Sequence, residues 1–65
     1  MGYRWIPVEE KLPEKKGTYL VTRKLADETF VETEYFGEYG WEHSKEVIAW
    51  MRLPTPYAEY MKYML

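Results

Sequence analysis

The single histidine of the chain, His43, is followed directly by Ser44, two residue types from which acid–base and nucleophilic centres are built. Neighbours on an extended strand point to opposite faces. The stretch from Trp41 to Lys45 reads as an exposed loop, which holds side chains too loosely for catalysis. A surface histidine is therefore the expectation, and no catalytic residue is assigned. Glu32 and Glu34 stand two apart, so on a strand they share a face and form a carboxylate pair of the kind that does acid–base work or holds a hard cation. With Val31 and Tyr35 on the alternate face, the simpler expectation is a solvated strand face whose charges protect an edge. No metal site and no cofactor is assigned. Gly37 and Gly40 have the spacing of a turn, without the lysine–serine pair or following helix of a phosphate loop.

The aromatic residues are the stronger candidates. Trp5, Trp41 and Trp50, with Tyr3, Tyr35 and Tyr39, are of the types that stack a nucleobase, with Arg4, Arg23 or Arg52 on a phosphate. Against this stands the need of a small domain for large rings in its core. Trp5 and Trp50 are assigned to that core, in one buried cluster with Leu12, Val21 and Leu53. Tyr39 and Trp41, in and beside the Gly37–Gly40 turn, are expected as exposed contacts.

The elements that must position these side chains follow from the local pattern. Ile6 precedes Pro7 and Leu12 precedes Pro13, so residues 3–13 read as an extended arm. Residues 18–24 and 29–36 are rich in β-formers and flank a hairpin connection at Ala26-Asp27-Glu28, while 46–52 make a last strand. The tail changes period: Tyr57, Tyr60, Met61, Met64 and Leu65 make a helical stripe from about residue 56, with Thr55 as cap and Pro56 in the first turn. The predicted fold is α+β and mainly β, one domain with an antiparallel sheet of three or more strands, an extended N-terminal arm and a short C-terminal helix. In the last strand Val47, Ala49 and Met51 alternate with Ile48 and Trp50, and in the first Leu20 alternates with Tyr19 and Val21. Both sheet faces therefore carry apolar side chains.

A chain of 65 residues without cysteine hides only roughly 60% of its unfolded surface and has no disulfide to compensate. Aromatic mass, 18% of residues, or a partner subunit must make up the difference. The net charge of −2, with both signs interspersed, argues against a dedicated duplex-DNA binder. No apolar run approaches the length of a membrane span and no signal-peptide stretch follows Met1. A cytoplasmic location is expected, with no membrane partner.

The constellation Trp5-Ile6-Pro7-Val8, Leu12-Pro13, Gly17, Tyr19-Leu20-Val21, Gly40-Trp41 and Ile48-Ala49-Trp50-Met51-Arg52-Leu53-Pro54-Thr55-Pro56 resembles a family of small phage and prophage proteins, number 551 in the domain-of-unknown-function series. The resemblance covers most of the chain. It implies a viral or mobile-element origin, a compact β-rich fold and no assigned catalytic residues. Members often carry a histidine immediately before the closing tryptophan, Trp50, where this chain has Ala49.

Two functions of different class remain. The first is a small non-enzymatic interaction protein that contacts a host protein or a second copy of itself, as a homodimer, through Tyr39, Trp41, Tyr57, Tyr60, Met61 and Met64. The alternative is a binder of a nucleotide or single-stranded nucleic acid through an aromatic surface ringed by Arg4, Arg23 and Arg52. An enzyme ranks third, because no acid, base and nucleophile converge at recognisable spacing.

Overall fold

A computed structural model describes residues 4–54. These residues form one antiparallel sheet of five strands: β1 (Ile6–Pro7), β2 (Gly17–Leu25), β3 (Glu28–Gly37), β4 (Gly40–Trp41) and β5 (Val47–Met51). The spatial order is β1-β5-β2-β3-β4. The strands expected over 18–24, 29–36 and 46–52 are present with ends shifted by one residue. No helix occurs among the described residues, and so none long and apolar enough to cross a membrane. The helix expected over 56–65, with Tyr57, Tyr60, Met61 and Met64, lies outside them.

The turn Ala26–Asp27 sets the register of the central hairpin, in which Leu25 pairs with Glu28 and Tyr19 with Glu34. Ala26 has φ 57°, the sign that tight hairpin turns require of their central residues and that glycine adopts at least cost. Ala26→Gly is expected to raise stability by about 0.5–1 kcal/mol, the relief of the left-handed strain less the added unfolded-state freedom. Thermal melts of the two proteins check this, and an unchanged or lower Tm would contradict it. Gly40 has φ 93° and closes the β3–β4 turn, where a side chain would be strained.

All the buried apolar residues lie on one face of the sheet. Val21, Trp41, Val47 and Trp50 form the core, with Ile6, Val8, Tyr19 and Phe36 packed against it. Tyr19 stands between the two indoles, 5.2 Å from Trp50 and 6.0 Å from Trp41, edge to face in both cases. Phe36 extends the row, 4.8 Å from Trp41. Each ring removes roughly 150–250 Å² from water, so at about 25 cal/mol per Å² one buried ring contributes on the order of 4–6 kcal/mol before ordering entropy is counted. That is how a chain without disulfides holds a single-layer sheet together.

Regular alternation predicts Val47 and Trp50 on opposite faces, yet both are buried. The cause is a bulge. Thr22 pairs with Ala49 but Arg23 pairs with Val47, leaving Ile48 without a partner on β2. The extra residue reverses the phase of the strand, and the Ile48 carbonyl accepts instead from the Val8 N–H at 3.0 Å. The expected cluster is corrected in another respect. Val21 and Trp50 are in the core, but Trp5, Leu12 and Leu53 are exposed. The arm passes over the sheet with Pro13 turned inward and Leu12 outward, and it is tied down by a hydrogen bond from Trp50 Nε1 to the Lys11 carbonyl, 2.8 Å.

Candidate functional site

β4 and β5 lie on opposite sides of the β2–β3 pair, so their connection, residues 42–46, must cross both strands. Beneath it the core face changes from apolar to charged. β2 supplies Arg23 and β3 supplies Glu32 and Glu34, while the crossing loop brings His43 and Glu46. The Arg23 guanidinium donates from Nη1 to Glu32 Oε2 at 2.6 Å and from Nε to Glu46 Oε1 at 3.0 Å, with a further Nη2 bond to Glu46. Glu34 Oε2 lies 3.8 Å from Arg23 Nε. The flat cation also rests 5.0 Å from the Phe30 ring centroid.

Glu34 is the most enclosed charge, with its side chain 2% exposed. It accepts from His43 twice, from the main-chain N–H at 3.2 Å and from Nδ1 at 2.7 Å. A carboxylate oxygen accepts in such a contact, so the ring donates from Nδ1. The Arg23 hydrogen bond holds the Glu32 carboxyl below its ordinary value of 4.5. Bonds from Glu46 and then Glu32 hold the guanidinium firmly charged. The His43 carbonyl accepts from the Glu46 and Val47 N–H groups, 2.9 and 3.2 Å, which closes the loop over the cluster.

Ligand atoms of Glu32, Glu34 and His43 lie within 4.8 Å of one another, a donor set suited to a divalent cation. Arg23 already supplies the positive charge that these carboxylates need, and it sits on the same oxygens. The arrangement is closed on itself, with no nucleophile in it, and it works as a clasp that pins the crossing loop to the sheet.

The expected site residues are thus redistributed. His43 and the Glu32–Glu34 pair, expected on solvated surfaces, meet in one network. β3 turns its glutamates to the core face and Val31 and Tyr35 outward, the reverse of the anticipated phase. Trp41, expected as an exposed contact, is buried, because Phe36 pairs with it across the β3–β4 turn and carries it onto the core face. Tyr39 at the tip of that turn is 94% exposed, as anticipated. Arg4 meets Glu10 at 3.7 Å in an exposed pair, Arg23 is committed to the clasp, and Arg52 lies beyond the end of β5.

A sequence model of the family described as Protein of unknown function (DUF551) matches residues 4–57, and so takes in all five strands, the arm and the crossing loop. The chain belongs to the DUF551 family. No curated protein and no solved structure matches it. The family description assigns no activity, so the chemistry of this DUF551 chain has to be read from its side chains. The Glu34–His43 contact is the one the residue types alone did not reveal, although a signal for it exists. With Gly37 paired to Gly40 and Phe36 to Trp41, continuing the same register sets His43 opposite Glu34.

Proposed function

We propose that this chain is a small non-enzymatic interaction protein that seats an extended strand of its partner on the open edge of β3. One observation carries the reading. β3 is paired along its whole length with β2, from Glu28 to Phe36, but on its other side it is paired only at Phe36 and Gly37 among the described residues. Lys24 turns its N–H away from β3, towards the Glu46 carbonyl at 2.8 Å. Its partner Thr29 must then turn its own N–H and C=O away from β2, and Val31 and Thr33 follow at the same phase. These groups form a ready template for another strand.

The side chains suit that use. Thr29, Val31 and Thr33 are uncharged β-formers on the sheet face away from the core, and Val31 and Tyr35 are more than half exposed. Natural edges are blunted by lysine, proline, bulges or shortness. Residues 28–36 contain no lysine and no proline and pair with β2 without a register shift. The opposite edge is blunted, with β1 only two residues long, one of them Pro7. A host protein as partner is supported by the resemblance to phage and prophage proteins, and a cytoplasmic setting by the lack of cysteine. A second copy meets the same edge less well. Val31 opposite Val31 sets Thr29 against Thr33 and Phe30 against Glu32 but also Glu28 against Glu34, and the next registers set Glu32 against Glu32 or against Glu28, like charges directly opposed in each case.

Sedimentation equilibrium of the full chain, and capture of host proteins on it, test the proposal together with Val31→Lys. The expected result is a dimer or a captured partner whose affinity falls at least roughly tenfold in the variant, with an unchanged melting temperature. A monomer that captures nothing overturns the proposal. So does a complex that Val31→Lys leaves intact.

A further inference from the structure

We infer an anion-binding site in the cleft between the 11–15 segment and the end of β5, matched to a small ligand that joins a phosphate to a flat ring, a mononucleotide in class. The cleft has a volume of about 400 Å³ and is lined by Lys11, Glu14, Lys15, Tyr19, Trp50 and Arg52. It lies within the size range of small-molecule pockets and is several times larger than a phosphate needs.

Its charge is the first argument. Three cations and one carboxylate line it, in a chain whose net charge is −2, so the local sign is the reverse of the whole molecule's. Lys11 reaches Glu14 only at 4.0 Å, in an exposed pair of little energetic weight. Among the described residues no carboxylate pairs with Lys15 or Arg52. These two charges are unclaimed among the described residues, whereas Arg23, the cation in the clasp, is fully engaged.

Preorganisation is the second. The two aromatic walls hold the segment that carries the lysines: Trp50 Nε1 donates to the Lys11 carbonyl and Tyr19 Oη donates to the Lys15 carbonyl, each at 2.8 Å. The rings brace one another edge to face at 5.2 Å. Lys11 and Lys15 are therefore set at the two ends of one tethered segment, facing Arg52 from β5's exit, and the ordering cost on binding falls on the side-chain tips alone. Phosphate oxygens accept charge-assisted hydrogen bonds from such a set. Tyr19, only partly buried, leaves apolar surface for a ring beside it, while Trp50, 6% exposed, braces that wall from behind. The site shares no residue with the β3 edge and stands independently of the interaction proposed there.

The test is an NMR titration of the ¹⁵N-labelled full chain with AMP, adenosine and inorganic phosphate. AMP is expected to shift the amides of residues 11–19 and 50–52 with a Kd below about 1 mM, and adenosine and phosphate to bind roughly tenfold more weakly. Arg52→Gln and Lys15→Gln, both at exposed positions, are each expected to weaken AMP roughly tenfold, the worth of one charge-assisted contact. Lys24→Gln, at the far end of β2, should leave binding unchanged. Absence of shifts at those amides under excess AMP overturns the site, as does an affinity that Arg52→Gln leaves unaltered. Phosphate binding as tightly as AMP overturns the ring as part of the ligand.

Discussion

Trp50→Ala is expected to abolish cooperative folding at room temperature. Trp50 is 6% exposed, pairs across the sheet with Ile6 on one side and Val21 on the other, and holds the arm through its bond to the Lys11 carbonyl. Emptying a large aromatic site costs about 3–5 kcal/mol, and a domain of this size has a total stability near 5 kcal/mol. Trp50 also links three elements, β5, β2 and the arm with its strand β1, so the surroundings have no rigid layer to collapse onto the gap. Urea titration followed by tyrosine and tryptophan fluorescence measures the effect. A variant with the parental midpoint would show that the core is centred elsewhere. Trp50→Phe retains a ring but not the N–H, and should lose only about 1 kcal/mol, the usual net worth of one hydrogen bond, plus the smaller packing term.

Arg23→Met is expected to reverse the pH dependence of stability. In the parent the guanidinium from β2 faces Glu32 and Glu34 from β3 and Glu46 from the crossing loop, whose His43 bonds Glu34. The Glu32 carboxyl is held below 4.5 by its Arg23 hydrogen bond. A depressed carboxylate contributes stability that is present above the unfolded value and is lost as pH falls through the folded one. The parent should thus keep the Glu32 contribution between neutrality and about pH 5, then lose it in acid. In Arg23→Met three carboxylates converge without their cation. Mutual repulsion then favours their protonated forms in the folded state, so the variant is least stable at neutral pH and gains stability as pH falls towards about 5. Melting temperatures from pH 7 to pH 4 decide it, and parallel curves for the two proteins would show that the clasp carries no net electrostatic weight. Arg23→Met/Glu32→Gln/Glu46→Gln, which removes the cation and two of the three carboxylates, should melt well above the single variant at pH 7, because Glu34, hydrogen-bonded by His43, is then the one carboxylate of the cluster left charged.

Local sequence determined the strands and their turns. The run from Gly17 to Leu25 is β-rich, Ala26-Asp27 is too short for anything but a hairpin, and Gly40 permits the second tight turn. Such signals act through nearest-neighbour sterics and are readable wherever they occur. Aromatic mass in a cysteine-free chain likewise required buried tryptophans, and Trp50 is one of them. Which face each residue takes was another matter, because it depends on register and a single inserted residue inverts it. Alternation alone sent Glu32 and Glu34 to solvent and Val47 to the face opposite Trp50. The β2–β3 pairing and the bulge at Ile48 reversed both, and with them the roles of Val31, Tyr35 and Trp41. The clasp is a still more distant consequence. Arg23 and Glu46 are 23 residues apart, and they meet only because the strand order carries the loop after β4 across β3 and β2 before β5 begins. The same holds for the cleft, where Lys11 and Lys15 face Arg52 once Trp50 and Tyr19 have tied the arm down. Residue types and short spacings thus specify the elements, and the β3–β4 turn also sets His43 opposite Glu34, while the Arg23–Glu46 contact and the cleft come from strand order, which no local pattern encodes.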